Sequence, residues 1–394
     1  MAPRNRWLEL LLIGVARIGM GVQFQAIGAL GPLLVGGLVA DWTRLGTLIG
    51  AYSLAGVATA LPAGWLLARF GDRAILLAGL WLMVLGGAVL AAAPSYPLAL
   101  LGRVVAGGGS SLLTIACAKR VLDRFAGPSL APAMGVMLSA WPIGIAAALL
   151  LLPLAGEDWR LGLIGSAALC ALALPLLAWA VPAGPRGPVD PMARLQPGEW
   201  APLLAVGALW ASYNAAYAVL LGFAPAFLVA QGAGPGMAGA VASLVGWAIL
   251  PLLPLGGAIA ERLGRPMLIC ALCLAGMGAA LLALVGGAPA APALVAFGLL
   301  AGPPASLIMA LLGRVLSARS RAFGVGIHYM LFYGGLAVLP PVAGALRDAT
   351  GDPAAPILAA AGFLALALLC LAGLGAMLGR PASARPGGAA AAGL

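Results

Sequence analysis

The sequence contains very little charge. Only 8% of its 394 residues are charged and 63% are hydrophobic, whereas about a quarter of a soluble domain is charged. There is one histidine, and all eleven Asp and Glu residues fall in predicted loops or at the ends of apolar segments. This excludes an ordinary soluble domain and indicates a polytopic membrane protein. The net charge of +10 would suggest nucleic-acid binding in a soluble protein, but here loop charge that orients the chain in the membrane explains it.

The same scarcity excludes several classes of function. No Ser/His/Asp set, metal cluster or phosphate-binding loop is present, so we expect neither an enzyme nor a cofactor or metal site. Cys270 and Cys273 have redox spacing, but they lie in an apolar run without a second pair or a nearby histidine, which favours packing. The longest polar stretch, Pro182–Trp200, is too short for the output domain of a receptor.

Twelve apolar segments are long enough to cross a bilayer, which takes about 20 residues each. Their even number puts both termini on one side. The predicted segments are 8–38, 43–69, 73–93, 97–118, 131–154, 160–181, 201–230, 235–260, 266–287, 290–313, 322–346 and 354–379.

Basic residues in the loops predict the orientation. Sixteen lie on the side of the termini, and three, Arg44, Arg160 and Arg347, lie on the other. Because basic residues concentrate in cytoplasmic loops, we expect cytoplasmic termini in a bacterial cytoplasmic (inner) membrane.

Two loops of the sequence repeat each other. The residues Gly64, Arg69, Gly71, Asp72 and Arg73 follow the second segment, and Gly257, Glu261, Arg262 and Arg265 follow the eighth, at an offset of 193. Pro32 and Pro225 share that offset, which indicates a duplicated six-helix unit. The predicted organisation is a first bundle (1–181), a cytoplasmic linker (182–200), a second bundle (201–380) and a disordered tail (381–394).

The two loops resemble the signature Gly-x-x-x-Asp-Arg-x-Gly-Arg of the major facilitator superfamily. The resemblance implies an all-α fold of twelve transmembrane helices in two pseudo-symmetric bundles, with the loop residues as a conformational latch. Ala68 replaces the acid in the first copy, and Glu261 keeps it in the second. Arg103-x-x-x-Gly107-x-Gly109 resembles a second family motif, whereas Trp141-Pro142 stands where drug–proton antiporters carry a different motif.

Four further stretches are similar to the cyanate-transporter-like branch of that superfamily. That branch implies small anions or small polar nitrogen compounds as substrates. Nitrate carriers hold their substrate with arginines on helices two and eight, and the matching segments here have none in mid-membrane. The stretches are Gln23-Phe24-Gln25, Gly46–Gly50, Arg69–Arg73 and Ser139–Gly144.

Arg17 is the most informative polar residue. It lies ten residues past Trp7 in a run without an acid between Glu9 and Asp41, which is a depth of roughly 15 Å. A mid-membrane guanidinium costs about 2.5–3.5 kcal/mol on insertion scales. A fixed charge without a fixed counter-ion predicts that the counter-ion is the substrate; the alternatives are snorkelling or pairing with a helix end.

Most of the other candidates for substrate binding lie in other predicted spans, with Arg103 nearer the outer side of the membrane. Arg103 either contacts substrate or is structural, bonded to backbone carbonyls. His328, with an unperturbed pKa of ~6.5, either carries a proton or is a neutral core imidazole. The remaining predicted binding residues are Gln25, Trp141, Tyr213, Asn214 and Tyr329.

We therefore expect a secondary transporter that moves a small anion by alternating access, with protons as a candidate coupling ion. The alternative is an exporter of neutral or hydrophobic drugs. The expected partners are the lipid bilayer and an anionic small molecule, and no nucleic acid. The chain is expected to be a monomer.

Overall fold

A computed structural model of the chain describes residues 5–125, 129–182, 195–317 and 319–378. Within these ranges the chain is almost entirely α-helical. The helices are α1 (Arg6–Ala29), α2 (Gly31–Leu34), α3 (Trp42–Thr59), α4 (Ala63–Phe70), α5 (Asp72–Ala92), α6 (Tyr96–Arg124), α7 (Leu130–Leu151), α8 (Trp159–Ala180), α9 (Trp200–Ala230), α10 (Pro235–Ala248), α11 (Leu252–Leu263), α12 (Pro266–Val285), α13 (Ala290–Val315), α14 (Arg321–Thr350) and α15 (Ala355–Leu378).

Eleven spans in the described ranges are long and apolar enough to cross a membrane. A twelfth is obtained when α3 and α4, which meet at a bend of 70°, are counted together. The predicted all-α polytopic fold is confirmed. Most of the predicted linker and the whole predicted tail, 381–394, lie outside the described residues.

Prolines divide three of the predicted apolar segments. The first segment ends as a regular helix at Ala29, because Pro32 has no N–H for the Gly28 carbonyl. The second breaks around Pro62, and the eighth breaks between α10 and α11, beside Pro251. Hydrophobicity alone predicts the length of a span but not these breaks.

The two copies of the loop motif share a backbone turn. Gly71 joins α4 to α5 with a φ of +82°, and Gly264 stands between α11 and α12 with a φ of +63°. Residues with a Cβ rarely adopt positive φ, which explains why each copy has a glycine at this position. The turns agree with the repeat predicted from the sequence.

Two arginines join the antiparallel helices α5 and α8 at both ends. Arg73 Nη2 donates to the Ala178 carbonyl at 2.8 Å, and Arg160 Nη1 donates to the Ala91 carbonyl at 2.9 Å. Each arginine begins one helix and bonds a free carbonyl at the end of the other. The pair is therefore fixed in register at both ends.

We call α1–α8 the first group and α9–α15 the second group. Their main contacts are α3 with α14 and α7 with α10. Between α1 and α9 the approach is so close that a Cβ on Gly28 would lie 2.7 Å from the Cα of Gly222. Beside it, Gln25 Nε2 donates to the Leu221 carbonyl at 2.7 Å. Pro225 frees that carbonyl from its helical partner, so Gln25 joins the groups at a break in α9.

A second polar contact joins the two groups where α3 begins. The Asp348 carboxylate accepts hydrogen bonds from Trp42 N at 3.0 Å and Thr43 N at 2.8 Å, and also from the Thr43 hydroxyl. Arg347 lies over the ring of Trp42, 3.4 Å from its centroid. An acid of the second group thus caps a helix of the first.

Candidate functional site

Arg17 is buried in α1, with 5% of its surface exposed. Its Nε donates to the Met137 carbonyl of α7 at 2.9 Å. Its Nη1 is buried and has no hydrogen-bond partner among the described residues. Arg17 has no ion pair within the described residues, so the carbonyl bond is the polar contact seen there to offset the burial of its charge.

Aromatic rings lie beside Arg17 in the first group. Phe24 follows two helical turns later on the same face of α1, and Trp141 follows Met137 by one turn on α7. Their ring centroids are 5.3 Å apart, and Phe24 also contacts Tyr52 at 5.6 Å. Trp141 is only partly buried.

The second group has its own set of aromatic rings around Trp210. Trp210 of α9 stacks on Tyr213 at 5.6 Å and on His328 of α14 at 6.1 Å, and it contacts Phe332 at 6.1 Å. Tyr329 meets His328 and Phe332 edge-on. Tyr329 and Tyr333 of α14 lie within electrostatic range of the Arg17 guanidinium. We call Arg17, Trp141, Trp210, His328, Tyr329 and Phe332 the central cluster.

Several buried polar atoms of the central cluster are unpaired. Within the described residues, Trp210 Nε1 and both ring nitrogens of His328 lack a hydrogen-bond partner, as does Arg17 Nη1. His328 is completely buried. The other unpaired buried atoms of the described residues, on Arg120, Tyr217 and Arg347, lie outside the cluster. An unpaired buried polar group costs about 1–3 kcal/mol, so the presence of four in one cluster points to a site that can receive a polar molecule.

Arg103 contrasts with Arg17. It is also fully buried, but its Nε donates to the Leu48 carbonyl at 2.9 Å and its Nη1 to the Gln23 carbonyl at 2.7 Å. Nη2 donates to the Phe24 carbonyl at 3.1 Å, and the guanidinium lies 4.4 Å from the centre of the Tyr52 ring. This geometry fits the structural alternative, and substrate contact by Arg103 stays a prediction.

Three other predicted residues bond mainly to backbone. Gln25 bonds across to Leu221, as described above. The Tyr213 hydroxyl donates to the Ala301 carbonyl at 2.7 Å, and Asn214 donates back to the Trp210 carbonyl at 2.8 Å. The structure brings Trp141, His328 and Tyr329 into the central cluster, with Tyr213 stacked at its edge.

Of the predicted latch, the acid Asp72 is buried and bonded within the first group. Arg120 Nη1 donates to it at 2.8 Å, and Arg120 also pairs with Glu9 of α1. Arg73 bonds α8, whereas Gly64, Arg69, Arg262 and Arg265 are exposed. Gly257 and Glu261 belong to α11, and the Glu261 side chain lies outside the described part. A latch between the groups therefore stays a prediction.

Sequence reasoning missed two members of the site as binding residues. Trp210 and Phe332 belong to aromatic helix faces that the sequence shows. Tyr333, whose ring lies 4.9 Å from that of Phe332, is not among the predicted residues. The signal for Tyr333 was its spacing of four from Tyr329, since residues at i and i+4 share a helix face.

A family model of the Major Facilitator Superfamily matches residues 11–233, more than half of the chain. The chain belongs to this superfamily. The chain is 31% identical over 150 residues to the mouse solute carrier family 2, facilitated glucose transporter member 10, covering 36% of the chain and 27% of that protein.

A second relative is a multidrug resistance protein B homolog of Mycobacterium tuberculosis. The chain is 35% identical to it over 121 residues, which is 27% of the chain and 21% of that protein. The chain thus matches about a quarter of the length of either relative. The names of the two relatives differ in substrate. They support a transporter of this superfamily and do not identify the solute of this chain.

Proposed function

We propose that the chain moves a small anion across the membrane by alternating access, with Arg17 as the group that binds the negative charge. The observation that carries this proposal is the unpaired Nη1 of a buried guanidinium. A charge-assisted hydrogen bond donated to an oxyanion is the interaction that satisfies such a nitrogen most strongly. Cyanate-like ions and carboxylates both offer this oxygen or nitrogen acceptor chemistry.

The transport cycle rests on the two groups, 1–181 and 201–380, rocking about the central cluster. The contacts of Asp348 with α3 and of Gln25 with α9 would break and re-form in that motion. We place both termini in the cytoplasm of a bacterial inner membrane, as the loop charges favour, and treat 182–200 as the linker between halves.

Proton coupling would use His328. Both of its ring nitrogens are unpaired in the described structure, and its ring stacks on Trp210 in the cluster that holds Arg17. A proton on His328 would add positive charge next to the anion and strengthen binding, so anion and proton would travel together.

The test is counterflow of labelled acetate and cyanate in proteoliposomes. Arg17→Gln keeps a hydrogen-bonding side chain, although a shorter one, and removes the charge, so we expect a loss of at least tenfold in uptake. Arg44→Gln removes an arginine that is half exposed and should leave uptake unchanged. Normal uptake by Arg17→Gln would refute the proposal and favour the neutral-drug exporter.

A further inference from the structure

The aromatic rings of the central cluster bear on the kind of anion that fits. Small inorganic anions need positive charge and hydrogen-bond donors, and they gain little from flat apolar surfaces. Yet the rings around Arg17 come from both groups and from three helices, α7, α9 and α14. They form a larger apolar surface than a three-atom ion can contact.

The exposure of these rings sets them apart from ordinary core packing. Trp141, Trp210, Tyr329 and Phe332 are each only partly buried, although each lies at least two helical turns from the ends of its helix. Residues of the same helices that pack between neighbours, such as Phe223 and Ile145, are completely buried. These half-buried rings therefore offer apolar surface that a solute can contact.

Four buried polar atoms of the central cluster are unpaired in the described structure: Arg17 Nη1, Trp210 Nε1 and the two ring nitrogens of His328. Tyr213 and Asn214 beside it donate to backbone carbonyls. A solute with many hydroxyl groups would leave most of them unpaired here, which costs binding energy. One charged end and a flat apolar body suit this arrangement better.

We propose that the preferred solute is an organic anion with a planar, conjugated body, such as an aromatic carboxylate. Its anionic group bonds Arg17, and its body lies against Tyr329 and Phe332 of α14 and Trp141 of α7. This inference rests on the anion-binding role of Arg17 and adds the substrate class to it.

The experiment compares four ligands by their dissociation constants for the purified full chain. Benzoate has charge and a flat ring, cyclohexanecarboxylate has charge and a puckered ring, acetate has charge alone, and benzamide has the flat ring without charge. We expect benzoate to bind at least about tenfold more tightly than the other three, because ring stacking adds to the charged contact.

Two variants test whether the preference for benzoate depends on the rings of the central cluster. Phe332→Leu keeps a side chain of similar volume but no ring, and should weaken benzoate binding severalfold while acetate binding stays unchanged. Phe363→Leu on α15, outside the cluster, is the matched control and should change neither. If Phe332→Leu does not yield folded protein, the ligand series on the unmodified chain decides alone.

The outcomes separate this inference from the proposed function. Equal binding of benzoate, acetate and cyclohexanecarboxylate would overturn the planar substrate class and leave a small-anion transporter. Equal binding of benzamide and benzoate would instead overturn the anion role of Arg17. A Phe332→Leu variant that weakens benzoate and acetate alike would also overturn the stacking contact.

Discussion

Arg17 and Arg103 are both buried arginines within membrane helices, and they differ in what surrounds them. Arg103 donates to three backbone carbonyls of α1 and α3 and lies against Tyr52. Arg17 donates to one carbonyl and keeps an unpaired nitrogen. The same residue type therefore has two different surroundings: one guanidinium ties three helices together, and the other keeps a nitrogen that the proposed function assigns to the ligand.

The difference extends to other polar groups. Asp348 and Gln25 have hydrogen bonds that join the two groups of helices, while His328 and Trp210 keep unpaired nitrogens at the centre. We expect substitutions of the paired set to lower stability, and substitutions of the unpaired set to lower binding while stability is kept.

The largest stability effect should come from Arg103→Ala. It removes three charge-assisted hydrogen bonds and leaves a cavity between α1, α3 and α6, at a cost of about 3 kcal/mol or more. Thermal unfolding of Arg103→Ala in detergent should show a much lower midpoint. Arg103→Lys keeps the charge but has fewer donors, so its midpoint should fall less. An unchanged midpoint for Arg103→Ala would contradict the structural role.

Asp348→Asn should come next. The amide cannot accept as strongly as a carboxylate from Trp42 N and Thr43 N, and losing a helix cap costs about 0.5–2 kcal/mol. A cysteine at the buried Leu45 position, in a background without native cysteines, should then react severalfold faster with a water-soluble maleimide. Asp352→Asn, which alters an acid bonded to Ala354 N, should leave the rate unchanged; faster reaction of both would argue against a specific contact.

Gln25→Leu should have a smaller effect, about 1 kcal/mol, the value of a typical hydrogen bond. It leaves the Leu221 carbonyl unpaired beside Pro225 and loosens the contact between the groups. Gln23→Leu, which loses a bond to Met83 inside the first group, is its control. Faster exchange of labelled solute in Gln25→Leu than in Gln23→Leu would support a role in the motion, and equal rates would remove it.

His328→Gln should have the smallest effect on stability, because no hydrogen bond of the imidazole in the described structure is lost. If His328 carries the proton, uptake by the unmodified chain rises as the pH falls, since the protonated ring attracts the anion. Uptake by His328→Gln should not follow pH in this way. A pH profile identical to that of the unmodified chain would exclude His328 as the coupling residue.

The sequence was sufficient for the polytopic helical fold and for finding a charge, Arg17, within an apolar run, because both are local signals. It could not give the partners of Arg103, which are carbonyls on two other helices. Nor could it place Asp348 on α3, about 300 residues away in the chain, or pair Arg120 with both Glu9 and Asp72. These contacts depend on how helices pack, which periodicity does not encode.

The central claim is that Arg17, which keeps an unpaired nitrogen, binds the solute, and that Arg103, which donates to three carbonyls, stabilises the fold. Its most direct test is thermal unfolding of Arg17→Gln and Arg103→Gln, each with and without saturating benzoate. We predict that Arg17→Gln unfolds at or above the midpoint of the unmodified chain and gains nothing from benzoate. Arg103→Gln should unfold earlier, yet be stabilised by benzoate. Full benzoate stabilisation of Arg17→Gln would contradict the account.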